Sequence, residues 1–576
     1  MFALIAASLL QASPLTVAAL PPGETAGRGA RVPFVEVEAE NAATDGAIIG
    51  PDRTFGSLPA EASGRRAVRL ERAGQFVEIV LDRPADGITL RYALPDSADG
   101  KGLDAHLDLS VDGAPAGRAA LTSRFSWLYG DYPFTNHPAD GKGHHLYDHV
   151  RLRLTQPAPA GARLRFTVPE GFAAGWVVLD VVDLEIVPDP APAPDDALSL
   201  LDFGADPTGQ ASAESALNAA VRAGREQQRP VYIPPGRYHL DGRINVDRVT
   251  VVGAGPWHTT IAGKTPGFLG TSARGSGRAV TIRGLSIEGQ VADRVDPEPF
   301  NAIGGGLGEG SVIEDLFIQH LKVGVWLDGP FSGLTIRRLR ILDVTADGIN
   351  LASGAGDALV EDVFVRGSGD DGLALWSRRQ ADRDIVFRRN TVIAPSLANG
   401  IAVYGGRDIT LQNNLVADIL TQGGGYHLGA RFNARPFQGQ ITLAGNIAVR
   451  ASGGDPNWSH GVGAVWTYAL DQAIEARIRV TGLRLIDSGP VAMHVRGPHA
   501  VTDLTLSGVD ITGGDLALRL QGPGQAVFAN IRARGLTPGG IDACDEAFEV
   551  MLGRGDAAWS RPRTCTHPVE PPPPEA

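Results

Sequence analysis

Apolar residues recur in this chain at a short fixed spacing set inside a long irregular one. A six-residue pattern, apolar-x-x-(Leu/Val/Asn)-x-apolar, begins at Ile282, Ile313, Ile336, Val360, Phe387, Leu411, Leu443, Val480 and Leu506, with one extra residue in the copy at Leu443. Successive starts lie 23 to 37 residues apart. A constant strand with variable loops buries its inward residues only by stacking on copies of itself. The pattern therefore predicts an all-β solenoid, a parallel β-helix. Asn390, Asn414 and Asn446 share the fourth position of three consecutive copies. They are expected to form a stacked amide ladder in a turn, a structural feature and not a catalytic one.

The pattern changes upstream. Residues 76–81, 107–111 and 177–182 alternate apolar and polar positions between Gly, Pro and Asp turns, which predicts a β-sandwich over residues 32–187. Residues 188–197 are proline-rich and read as a stiff linker. The solenoid domain is expected over 198–560, opening with an amphipathic helix at 212–223. Ser212 is its N-cap, and Leu217, Ala220 and Val221 lie on one face. Residues 566–576, with prolines at 571–574, read as a disordered tail.

Composition narrows the partners. Seventy-three glycines and 40 prolines among 576 residues suit many short strands and turns. A net charge of −13 excludes nucleic acid and disfavours polyanionic sugars, leaving a neutral polysaccharide as the expected partner of a monomer. Residues 2–20 are apolar, too interrupted to span a membrane, and followed by small residues near Ala19; they read as a signal peptide for a secreted or periplasmic protein. No other stretch approaches membrane-spanning length. In an exported chain Cys544 and Cys565, the only cysteines, would pair as a disulfide.

The candidate chemistry lies in the repeats. Asp347 stands 11 residues after the start of its copy, and Asp370 and Asp371 stand 10 and 11 after theirs. Equal offsets place these carboxylates above one another on adjacent coils, about 4.8 Å apart. Close carboxylates raise one another's pKa, so one keeps a proton as general acid while another stays ionised as base. Asn350, Trp376, Asn399, Tyr404 and His427 fall on the same face, with Arg431 and Trp466 further along, as expected of a sugar-binding groove. Asp-Gly is also a common turn, but three aspartates in register beside Asn350 and Trp376 favour catalysis. In the sandwich, the aromatic segment 125–134 offers rings for sugar stacking, Tyr132 more than Trp127.

The segments at 347–350, 369–377, 397–406 and 423–432 resemble glycoside hydrolase family 87, the α-1,3-glucanases and mycodextranase. The resemblance spans about 198–560. It implies a pectate-lyase-like right-handed β-helix, hydrolysis with inversion, and catalysis by Asp347, Asp370 and Asp371. The sandwich resembles carbohydrate-binding modules of families 6 and 35, which implies a structural calcium held by Glu38, Glu40 and Asp180; catalysis itself calls for no cofactor. Two alternatives stay open on this scaffold: a polysaccharide lyase, or a non-catalytic glycan-binding adhesin. Arg366, Arg378 and Arg379 fall outside the in-register set, which weighs against the lyase.

Overall fold

The alternating strands of the first region close into two antiparallel sheets. In the computed structural model, residues 25–553 are described apart from 131–133, 273–274, 456–459, 537–539 and 544–546, together with 563–564. The expected signal peptide, Cys544, Cys565, Tyr132 and the tail 566–576 lie outside the described residues. One sheet centres on Val177–Glu185, which pairs with Ala85–Ala93 and Ala67–Leu70 and receives Val35–Glu38 at one end. The other runs Ala43–Thr44, Phe76–Val80, Arg163–Thr167, Asp104–Val111, Ala114–Thr122. Inward residues such as Leu90, Leu109, Phe166 and Leu179 fill the space between them.

From Leu198 onward the chain winds as a parallel β-helix. The repeated pattern builds a 22-stranded parallel sheet that turns a corner within each coil, and a 13-stranded parallel sheet closes the coil. The corner carries the amide ladder. Asn390 Nδ2 donates to Asn414 Oδ1 at 3.0 Å, and Asn414 Nδ2 to Asn446 Oδ1 at 3.0 Å. Each amide also takes a backbone N–H from the coil before, so the buried turn is satisfied without water. The helix spans Glu214–Gln227, later at both ends than the apolar pattern predicts. Ser212 Oγ accepts the Glu214 N–H at 3.3 Å from one residue outside the cap. The helix runs on until Gln228 turns left-handed. Leu217, Ala220 and Val221 plug the first coil.

Sandwich and solenoid are fastened together. The proline-rich connection lies on the β-helix, with Ala191 N bonded to Ala254 O and its carbonyl to Tyr232 Oη, both at 2.8 Å. Ala30, Val32 and Phe34 pack on Phe364, Leu415 and Ile447. Beside them lies a buried polar seam. Arg366 pairs with Asp183 at 3.2 Å and with Glu36, Arg340 pairs with Asp183 and with Glu185 at 2.9 Å, and His149 Nδ1 bonds Asp343 at 2.9 Å. Asp343 and Arg366 each stand four residues before a carboxylate of the candidate site, Asp347 and Asp370. The sandwich thus holds the coils that carry it.

Candidate active site

Three turns leading into the 13-stranded sheet form the site. Strands Ile349–Ala352, Leu373–Trp376 and Ile401–Tyr404 lie side by side, with Ile349 opposite Leu373 and Leu373 opposite Ile401. The residues two positions earlier, Asp347, Asp371 and Asn399, therefore rise in one column. Asp370 sits beside that column, its N–H bonded to Ala346 O at 3.2 Å. A glycine follows each member because the coils approach closely. A Cβ at Gly348 would lie 2.4 Å from the Gly372 carbonyl, and one at Gly372 2.3 Å from Val392 Cγ1. These glycines are demanded by packing, and the turn leaves the carboxylates free for chemistry.

The three carboxylates place oxygens within 4.8 Å of one another. Their surroundings differ. Asp347 is 6% exposed and accepts one bond, from Asn350 Nδ2 at 2.8 Å. Burial, followed by the charges of Asp370 and Asp371, pushes its carboxyl well above the usual range. Asp371 is 3% exposed. Its Oδ1 accepts Asn399 N and Nδ2, each at 2.8 Å, and its Oδ2 accepts the Tyr404 hydroxyl at 2.9 Å. Burial and the neighbouring Asp370 push its pKa up to about 7, against the pull of those three donors. Asp370 has a side chain 24% exposed and forms an ion pair with Arg294 at 2.7 Å. The cluster thus sets two buried carboxyls with raised proton affinity beside one paired with a cation, an asymmetry suited to general acid–base work.

The sequence reading missed two cations here. Arg294 bridges Asp370 and Asp296, each at 2.7 Å. Lys322 is buried near Asp347 and donates to Asp296 O at 2.7 Å. Arg294 and Asp296 lie in the long loop between strands Thr281–Glu288 and Asn301–Gly305. The signal for them was the 31-residue step from Ile282 to Ile313, long enough to carry a loop over the groove.

The other expected sugar-binding residues divide into support and surface. Trp466 is 1% exposed, and its Nε1 donates to Asn399 Oδ1 at 2.8 Å. His427 is buried and stacked on Trp466 at 3.7 Å, with Nδ1 bonded to the Trp466 carbonyl at 3.2 Å; burial holds its pKa well below 6.5, so it is neutral. Neither ring presents a face to a ligand. They brace Asn399 and, through it, Asp371. Tyr404 and Asn350 likewise serve carboxylates. Trp376 is partly exposed, donates to Phe432 O at 3.3 Å and carries the Arg378 guanidinium over its ring at 4.9 Å. Arg431 lies 3.9 Å over Phe432, which is 40% exposed. Trp376 and Phe432 supply the open aromatic surface of the groove.

The sandwich supplies another wall. Leu128 and Phe134 pack on Leu397, and His145 Nδ1 meets Ser396 Oγ at 3.3 Å. Trp127 is committed to the sandwich through Nε1 to Leu94 O at 2.9 Å. The residues proposed for calcium form a buried acidic group in which Asp180 bonds Arg91 at 2.5 Å and Ser63 N at 3.0 Å, and Glu38 accepts Ser63 Oγ at 2.8 Å. Calcium requires six to eight oxygen ligands. As arranged, Asp180 serves a guanidinium, while Glu38 Oε2 and Glu40 Oε2 lie buried without a hydrogen-bond partner, hard oxygens of the kind calcium takes.

Comparison with known proteins places this architecture. Residues 31–187 match the family model of α-1,3-glucanase catalytic domain D1, and 207–486 that of catalytic domain D2. The catalytic unit of the thermostable GH87 α-1,3-glucanase from Streptomyces thermodiastaticus strain HF3-3 is 36% identical. It superposes with a TM-score of 0.85, and the match covers 94% of this chain and 100% of that one. The chain belongs to glycoside hydrolase family 87. A GH87 α-1,3-glucanase catalytic domain, an aspartate-to-alanine variant in complex with tetrasaccharides, is 25% identical with a TM-score of 0.82, over 92% of this chain and 99% of that one. The Agl-KA catalytic domain, at 24% identity, shares the fold with a TM-score of 0.85 over 92% and 99%. No curated protein matches the sequence. As a GH87 member this protein is a glycoside hydrolase, and its sandwich matches as a catalytic domain.

Proposed function

We propose that this GH87 hydrolase cleaves α-1,3-glucosidic bonds in a neutral α-glucan, using Asp347, Asp370 and Asp371. The observation that carries the proposal is the carboxyl cluster itself: three aspartates with oxygens within 4.8 Å, two buried and raised, one partly exposed and paired with a cation. Hydrolysis of a glycosidic bond needs a carboxyl that gives a proton to the leaving oxygen and a carboxylate that takes one from water. The cluster offers carboxyls in environments different enough for both roles. Relatives crystallised with tetrasaccharides and nigerose support the α-1,3-glucan class. Two of those structures carry alanine at adjacent aspartates, as Asp370 and Asp371 are adjacent here.

Inversion is the finer part of the proposal, and the family resemblance supports it. An inverting acid and base usually stand about 6.5–9.5 Å apart with water between them. The nearest oxygens here are closer, so the attacking water would sit against the cluster and not inside it. An extracellular or periplasmic location is the further part of the proposal, supported by a polymeric substrate together with the apolar run at residues 2–20.

Reducing-sugar release from α-1,3-glucan, nigeran, dextran and polygalacturonate, wild type beside Asp371→Asn, tests the reading. Release from α-1,3-glucan or nigeran that the variant abolishes is expected, with NMR showing the β-anomer formed first. Activity on polygalacturonate with an unsaturated product would replace the proposal with a lyase. Glucan binding without hydrolysis would replace it with an adhesin, and an α-anomer formed first would reverse the stereochemistry.

A further inference from the structure

Of the three carboxylates in the site, only Asp370 is met by a cation at bonding distance among the ion pairs of the described residues. Arg294 reaches it at 2.7 Å and is itself held by Asp296 at 2.7 Å. Its side chain is only 8% exposed, so the pair is shielded from bulk water and keeps more of its attraction than a surface pair. The loop that carries Arg294 is tied down independently. Lys322 Nζ donates to Asp296 O at 2.7 Å and Val295 O at 3.4 Å, and Ala346 N bonds Lys322 O at 2.7 Å. Asp296, Arg294 and Asp370 thus form a chain running from a long loop of one coil to a catalytic turn three coils later. It acts on Asp370 without passing through the Asp347–Asp371 column.

We infer that Arg294 is a positioning residue for hydrolysis: its guanidinium fixes the orientation of the Asp370 carboxylate beside the Asp347–Asp371 column. The inference rests on the hydrolase reading above. It explains why three carboxyl groups are tolerated within 4.8 Å, since the counter-charge of Arg294, fixed at 2.7 Å from Asp370, offsets part of their repulsion. The groups that face the cluster from the packed elements are Arg294 and Asp296 on the loop, Lys322 on its neighbouring coil, Tyr404 and Arg431 on the later coils, and the three aspartates themselves. Removing the positive charge therefore makes the cluster hold its protons more tightly. The acidic limb of the activity profile should then move to higher pH.

The test is a set of variants assayed on soluble α-1,3-linked oligosaccharides. Arg294→Ala is expected to lose about 10²-fold in kcat, the scale of a misplaced catalytic group, with KM changed far less and the acidic limb shifted upward. Added guanidinium chloride, at concentrations that leave the wild type folded, should restore part of the activity of Arg294→Ala and none of that of Asp371→Asn. Arg294→Lys should recover more than Arg294→Ala, because it keeps the charge but loses the forked geometry. If Arg294→Ala fails to fold, Asp296→Asn replaces it, keeping Arg294 but loosening its hold, with a smaller shift of the same limb. Wild-type kcat and an unmoved pH profile in the folded variants would overturn the inference. A rise in KM alone would too, since it would mark Arg294 as a substrate contact. An inactive wild type would instead sink the hydrolase reading.

Discussion

Two groups of buried carboxylates lie within a few residues of one another on the same coils, and they have opposite characters. At the seam with the sandwich, Asp183 meets Arg366 and Arg340, and Asp343 takes three donors: His149 N, His149 Nδ1 and Gln319 Nε2. Its hydrogen bonds and the nearby histidines hold the Asp343 carboxyl below the usual carboxylate range despite complete burial. Four residues further on, Asp347 has one amide donor and two like-charged neighbours, and its carboxyl is raised. Burial is common to both, so burial alone does not make a catalytic acid. The balance of counter-charge and donors decides whether a buried carboxyl glues two domains or holds a mobile proton.

The largest contrast is between removing a carboxyl from one group and removing a cation from the other. Asp371→Asn should reduce kcat by about 10²–10⁴-fold, the contribution of general acid–base groups, while the protein stays folded. Asparagine keeps an oxygen for the Asn399 donors and an amide for Tyr404. Arg366→Met should do the reverse. It strands Glu36 without its partner and leaves Asp183 only Arg340 in a fully buried seam, which costs about 3–5 kcal/mol of stability, read as a lower denaturant midpoint. A folded fraction of Arg366→Met with normal kcat would confirm that the seam is structural. If Asp371→Asn unfolds and Arg366→Met does not, the comparison is reversed.

The pH dependence of stability sharpens the same distinction. Asp371 titrates near about 7 in the folded protein and at an ordinary carboxyl value when unfolded. Between those values the folded state binds the extra proton, so stability falls as pH rises through this window. Asp371→Asn should therefore melt at the same temperature as the wild type near pH 4 and higher at pH 7 and above. A variant that is no more stable at pH 7 would show that the carboxyl carries no burial penalty. Tyr404→Phe removes a donor that favours the ionised form. The limb of the activity profile belonging to Asp371 should move to higher pH, by less than about one unit for the loss of one hydrogen bond.

The comparison also explains which parts were legible in the sequence. The solenoid, its amide ladder and the register of Asp347 with Asp371 follow from local repetition, because each coil repeats the geometry of the one before. The seam does not repeat. Glu36, Asp183 and Glu185 alternate along strands as solvent-facing residues would, and their arginine partners stand more than 150 positions away, where only the fold reveals them. The pairing of Asp180 with Arg91 is hidden in the same way, because that cation sits on a different strand. Arg294 escaped notice because it belongs to an insertion between repeats. Offsets within repeats placed Trp376, Tyr404 and His427 on one face of the coil, but could not tell which of them later coils would cover.

Trp466 gives the finest test, since support and sugar contact predict different kinetics for the same change. Its Nε1 donates to Asn399 Oδ1, and the Asn399 N–H and amide nitrogen both reach Asp371 Oδ1. Trp466→Phe keeps an aromatic ring against His427 but removes that donor, leaving a buried amide oxygen with one bond fewer, from Gly424 N. The loss of one such bond is worth about 1 kcal/mol, so kcat should fall about fivefold through a less well held Asp371, with KM unchanged. A ring that stacks on a sugar would act at the binding step: phenylalanine would weaken substrate affinity and raise KM while leaving kcat in place. That outcome would require the groove to open around Trp466 when glucan binds, and would return the residue to the substrate.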